Sequence, residues 1–228
     1  MREQTRTVVE ELRTVADPSR KPGMARVGIN VDRAMGVSIP DCRRIARAHR
    51  NDHALALDLW ATDLHEARIL ASMVDDPARV EPAQMEAWVA AFDSWDLCDQ
   101  TCSNLFGSTP HAFAMAKAWT RREEEFVRRA GFTLIAERAV RDKEHGDAFW
   151  IGWFPVIRRG ADDDRNYVKK AVSWSLRQIG KRNLALNAAA IGEAEGLVLR
   201  DARSARWIGR DVLRELTGDA VQVRLRRT

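Results

Sequence analysis

The sequence predicts an all-α protein built as a superhelical stack of HEAT-like helical repeats, an α-α solenoid. Three observations lead there. Apolar residues recur at helical spacing along the chain, no stretch alternates with period two, and a loose eight-residue pattern recurs. The expected helices cover 2–16, 40–49, 52–61, 64–74, 82–92, 94–106, 109–120, 123–142, 147–160, 164–182, 185–198 and 201–217, followed by a short basic end.

Local chemistry marks the boundaries. Pro40, Pro82 and Pro110 fall where a first helical turn tolerates a missing N–H. Ser38, Thr109 and Asp164 are candidate N-caps, and Gly107, Gly160 and Gly218 candidate terminators. The repeat is carried by LHEARILA (64–71), VRRAGFTL (127–134) and VKKAVSWS (168–175), which align on an apolar residue with alanine three positions later. The second and third start 41 residues apart, and the 63 residues between the first and second leave room for the 94–106 helix as a further unit. Helix pairs of about 40 residues that stack on their neighbours form a solenoid. The chain is therefore expected to be one repeat domain over 1–228, with an irregular Gly- and Pro-rich segment at 17–41 that lacks any aromatic residue.

Composition narrows the class. Hydrophobic content of 45% beside 31% charge describes a folded, soluble chain. No apolar run approaches the roughly 18 residues of a membrane span, and the start lacks a signal-peptide apolar region. Three cysteines argue against a disulfide framework and suit a reducing cytosol. Cys98 and Cys102 have no matching second pair, so neither metal nor cofactor is expected. Nucleotide-binding glycine loops and the G-x-S-x-G nucleophile motif are absent. Charge is uneven: fourteen Lys/Arg against seven Asp/Glu from Asp164 onward give +7, while the whole chain carries +4. Such a face suits a polyanion, or is simply a solvated helix surface.

Helical wheels pick out side chains misplaced for a core. From Tyr167 to Lys181 the core stripe is Val168, Ala171, Val172, Leu176 and Ile179. Trp174 lies about 150° away and shares its face with Lys170, Arg177 and Lys181. Cations that meet phosphates beside an indole that packs on sugar or base make a DNA contact; alternatively Trp174 packs under an adjacent helix. On 94–106 the stripe is Leu97, Cys98, Thr101 and Leu105, with Trp95, Asp99, Cys102 and Phe106 on its flank. Asp99 either serves structure, by capping or pairing with arginine, or is presented with Trp95 for chemistry. Asp96 suits the positive end of its helix. On the helix near Glu123, Phe126, Val127, Ala130 and Leu134 read as core. Arg129, at the edge, either pairs with Asp99 or holds a phosphate, and Arg128 points to solvent. GRDVLREL (209–216) reads as an ordinary amphipathic helix.

MGVSIPDCRRIAR, LHEARILASMVDDP, FDSWDLCDQTCSNLF, EEEFVRRAGF and DRNYVKKAVSWSLRQIGKRN together resemble the HEAT-like DNA alkylation repair family, which includes the AlkD-type alkylpurine DNA glycosylases and non-catalytic relatives. The resemblance runs from about Met24 to the end. It implies a basic groove that cradles double-stranded DNA, a cytoplasmic, nucleoid-associated monomer, and hydrolysis of the N-glycosidic bond of cationic 3-methyladenine or 7-methylguanine without base flipping. Matched motif to motif, Asp99 falls on the catalytic aspartate, Trp95 and Trp174 on the two tryptophans, and Arg129 on the supporting arginine. Lys170, Arg177 and Lys181 are the expected DNA-binding cations. The glycosylases carry a DNA-contacting helix with a tyrosine just after the motif matching residues 24–26. Here Val27 takes the tyrosine's place and Gly28 and Gly36 follow. A non-catalytic binder of DNA structures or lesions and a helical scaffold for another protein are the competing readings.

Overall fold

A computed structural model describes residues 2–227. Its elements are α1 (Glu3–Thr14), α2 (Lys21–Arg26), α3 (Ile39–Ala46), α4 (His53–Ala61), α5 (His65–Val74), α6 (Pro82–Val89), α7 (Trp95–Asn104), α8 (Ala112–Trp119), α9 (Glu125–Arg141), α10 (Asp147–Ile151), α11 (Phe154–Gly160), α12 (Asn166–Gly180), α13 (Leu184–Val198), α14 (Arg203–Leu216) and α15 (Asp219–Leu225). No strand occurs among the described residues. No helix is long and apolar enough to cross a membrane.

The packing divides the chain into two compact units, Met1–His111 and Ala112–Thr228. In the first, α4 packs on α5, and α5 lies against both α3 and α7. Trp60 and Trp88 stack at 4.0 Å between α4 and α6, with Phe92 and Phe106 around them. In the second, the pairs α8/α9, α11/α12 and α13/α14 repeat, and the later helices of the pairs sit side by side, α12 between α9 and α14. The three sequence octets all fall on such second helices: α5, α9 and α12.

Several local expectations change. The helix expected at 147–160 breaks into α10 and α11, because Pro155 has no N–H and its ring would strike the Ile151 carbonyl, where α10 ends. The irregular 17–41 segment contains α2. Ser38 does cap α3, accepting from the Asp41 N–H at 3.2 Å. Thr109 instead donates to the Phe106 carbonyl at 2.9 Å, and Asp163 rather than Asp164 accepts the Arg165 N–H, at 3.1 Å. Gly160 does not terminate a helix by conformation; a Cβ there would lie 2.2 Å from the Phe132 ring, so it permits close approach of α11 to α9.

Residues 27–38 have almost no regular structure, so side chains must satisfy their backbone. Glu66, 1% exposed on α5, takes the N–H groups of Met35 at 2.8 Å, Gly36 at 2.7 Å and Val37 at 3.1 Å. Gly36 is required there: its φ is +81°, and a Cβ would lie 2.1 Å from the Asp17 carbonyl oxygen. Asn30 donates to Asp93 at 2.7 Å, and the His65 N–H to the Arg33 carbonyl at 3.1 Å. Glu66→Gln keeps the volume but turns one end of the carboxylate into a donor facing N–H groups. Urea unfolding is expected to show a loss of about 2 kcal/mol. An unchanged midpoint would mean that the segment holds itself.

A second buried polar joint links α5 to α7. His65 Nε2 lies 2.8 Å from Asp96 Oδ2. Burial pushes Asp96 up, but His65, the Ser94 hydroxyl and the Leu97 N–H outweigh it and hold the carboxyl below its ordinary 3.8. Burial likewise pulls His65 down, but Asp96, Glu66 and Asp93 raise it above 6.5. The imidazolium contributes stability in full below 6.5 and loses it as pH rises through the raised value. The carboxylate contributes above 3.8 and loses it as pH falls through the lowered one. The Asp96→Asn destabilisation measured by urea unfolding should therefore be largest between about pH 4 and 6.5 and shrink at pH 9. A pH-independent difference would contradict a charged pair.

Candidate nucleic-acid interface

α5, α9 and α12 each have neighbours on two flanks, which leaves a narrow strip for chemistry. On α7, Leu97, Cys98, Thr101 and Cys102 are buried, as is Phe106 beyond its end. Cys102 and Phe106, expected on the flank, are thus core residues, whereas Trp95 and Asp99 remain half-buried one turn apart. Trp95 is fixed in orientation, since its Nε1 donates to the Val27 carbonyl at 3.0 Å. The indole is therefore held by the same 27–38 segment that Glu66 clamps. Asp96, read as a helix-end charge, is the His65 partner instead. Beside it lies a polar cavity of about 130 Å³, where Arg33 and Arg68 both pair with Asp63.

In the second unit, α9 is buried almost all round, from Val127 through Ala139, because α8 covers one side and α12 the other. Arg129, expected at an edge, is 6% exposed and donates from Nη1 to the Tyr167 carbonyl at 2.6 Å, which ties α9 to the start of α12. Arg128, expected in solvent, is held by Asp163 at 2.8 Å and by the Arg122 carbonyl at 2.6 Å. With Arg121 and Arg159 it lines a cavity of about 270 Å³.

On α12 the stripe Val168, Ala171, Val172, Leu176 and Ile179 is fully buried, as its spacing implies. Trp174 is half-buried. With the Gln178 amide oxygen turned toward it, that oxygen accepts from Trp174 Nε1 at 2.8 Å and from Lys181 Nζ at 3.2 Å. The three cations of this face divide. Lys170 is exposed, but Arg177 pairs with Glu215 and lies 3.6 Å from Asp211, and Lys181 reaches Glu215 at 2.6 Å. Burial pushes Glu215 up, yet Lys181 and Arg177 bring it below its ordinary value, so it stays ionised. The α12 cations are largely neutralised by α14.

α14 presents a cationic row in turn. Arg203, Trp207, Arg210 and Arg214 are all exposed and fall on one line, opposite the buried Ala205, Ile208, Gly209, Val212 and Leu216. Arg214 pairs with Asp211, while Arg203 and Arg210 have no ion-pair partner among the described residues. Lys169 of α12 places its Nζ 5.3 Å from the Trp207 ring centroid. The sequence reading passed over this row, although 203, 207, 210 and 214 carry a signal: a tryptophan spaced among arginines on the face opposite the apolar stripe.

No curated protein matches the sequence. A solved structure described as "A new family of proteins related to the HEAT-like repeat DNA glycosylases with affinity for branched DNA structures" shares 18% identity with this chain, covers 92% of it and 94% of its own length, and superposes with a TM-score of 0.78, which shows a HEAT-like repeat fold. The family model described as "DNA alkylation repair enzyme" matches residues 8–216, and the chain belongs to that family.

Proposed function

We propose that this protein binds DNA, and that the solvent-facing strip of α12 and α14 is its contact surface. One observation carries the reading. Lys170, Arg203 and Arg210 are exposed without an acidic partner among the described residues, although carboxylates neutralise the neighbouring Arg177 and Lys181. Unpaired cations on adjacent helices suit a polyanionic backbone, where each phosphate neutralised releases counterions. Family membership and the likeness to a protein described as having affinity for branched DNA support the same reading. A protein-binding scaffold would share the fold but give no reason for the cationic row.

Duplex affinity is expected to weaken steeply with salt, and Lys170→Gln and Arg203→Gln should each reduce the logarithmic slope by about one. Arg177→Gln should mainly lower stability, since it leaves Glu215 and Asp211 short of a cation. Salt-independent binding, or slopes unchanged in both variants, would refute the surface.

A second reading, excision of cationic alkylpurines, is favoured by the α7 strip. There Trp95 and Asp99 stay accessible on a helix otherwise buried on this flank, and Trp95 is held by Val27. In the family's chemistry the alkylated purine departs with the glycosidic electron pair, and the sugar becomes oxocarbenium-like. The Asp99 carboxylate would oppose that positive charge and position the water that adds to C1′, leaving an abasic site. Indole faces favour the same developing charge. Trp174 and Arg129 stand at the other matched positions; the buried Arg129 would act by holding α9 against α12. Release of 3-methyladenine or 7-methylguanine from methylated DNA is expected to fall about 10²-fold in Asp99→Asn with binding retained. Wild-type release at the spontaneous rate would leave DNA binding alone as the function.

A further inference from the structure

We infer that Trp207 is a stacking platform for an unpaired base, so that the α12–α14 surface favours DNA with exposed bases over an intact duplex. The inference rests on the DNA-binding reading above and names the kind of DNA that this surface selects.

The eight tryptophans of the chain divide cleanly. Trp60, Trp88, Trp119, Trp150 and Trp153 are buried. Trp95 and Trp174 are half-buried, and each has an acceptor for its indole N–H. Trp207 has neither: it is 38% exposed, and its N–H meets no acceptor among the described residues. An indole on this cationic line keeps more than a third of its surface and its N–H open to a partner.

Its surroundings specify a ligand. Arg203 and Arg210 stand one turn to either side along the exposed line. Lys169 lies over the ring at 5.3 Å, so a cation already occupies the position of a planar partner. An aromatic face between cations at nucleotide-scale spacing is the arrangement by which proteins hold single strands, with bases stacked on the ring and phosphates on the cations. Within an intact duplex both faces of each base are covered by its neighbours. A base freed at a gap, fork or junction offers its face, and Lys169 can move from the ring to an adjacent phosphate as that base arrives. Arg203 and Arg210 then contribute the sequence-independent contacts.

The test uses the full chain and fluorescence anisotropy at fixed salt, with a labelled duplex and a gapped duplex of the same length. Wild type should bind the gapped DNA more tightly. Trp207→Leu should weaken the gapped complex about ten-fold and abolish the preference, while the intact duplex changes little. Trp207→Phe should restore most of the preference, and Arg210→Gln should weaken both DNAs alike. Trp207 lies outside the fully buried core, so each variant is expected to melt cooperatively, with Trp207→Leu only modestly below wild type. No gap preference in the wild type, or equal losses on both DNAs in Trp207→Leu, overturns the platform while leaving DNA binding intact. Absence of binding to either DNA overturns the DNA-binding reading as well.

Discussion

The constraint on which the second unit depends is that α9 and α12 must each be packed on both flanks. α9 meets it most completely, with α8 on one side and α12 on the other, and its residues from Val127 to Ala139 are almost all buried. Small residues make the approach possible. A Cβ on Gly131 would lie 2.6 Å from the Thr120 nitrogen, and one on Gly160 would enter the Phe132 ring. Core methylenes forced into such space cost about 1–3 kcal/mol each. A helix confined in this way can present only a thin strip to solvent. Lys170 sits on such a strip of α12, whereas Trp95 and Asp99 on α7 are half-buried and Trp207 with its arginines lies on the open face of α14.

Charge follows from the same packing. The flank of α14 that meets α12 carries Asp211 and Glu215, and these engage Arg177 and Lys181. Partly buried ion pairs of this kind lock two helices in register, because removing one partner leaves a poorly solvated charge. Asp163, just before α12, does the same for Arg128 of α9. Lys170, Arg203 and Arg210 are left without an acidic partner among the described residues. Pairing inside the fold selects which cations remain available to a phosphate.

The 27–38 segment has a comparable relation to α7. With only turn-type backbone bonds such as Ala34 N–H to the Val31 carbonyl, it depends on Glu66 and on a left-handed glycine, and it gives the Val27 carbonyl to Trp95. It offers no aromatic ring, and Val27 itself is 55% exposed. Its structural contribution is to orient an indole.

How much of this was legible in the sequence depends on the range of the interaction concerned. Helical periodicity reports one apolar face, so the α12 stripe from Val168 to Ile179 and the all-α architecture could be read directly, and the octet pattern marked second helices. The resemblance to the family singled out Trp95, Asp99, Arg129 and Trp174 as expected site residues. A wheel cannot show that a second flank is also covered, which is why Cys102, Phe106 and Arg129 moved from edge to interior. Nor can it assign partners to charges: Arg128 with Asp163, Asp96 with His65, and Arg177 with Glu215 join residues about 30 to 40 positions apart. The sequence by itself determined most of the helices, the α12 stripe and the family. Only the tertiary structure decided which cations and which tryptophan stay open, because solvent access and ion pairing depend on neighbours that the local chain does not contain.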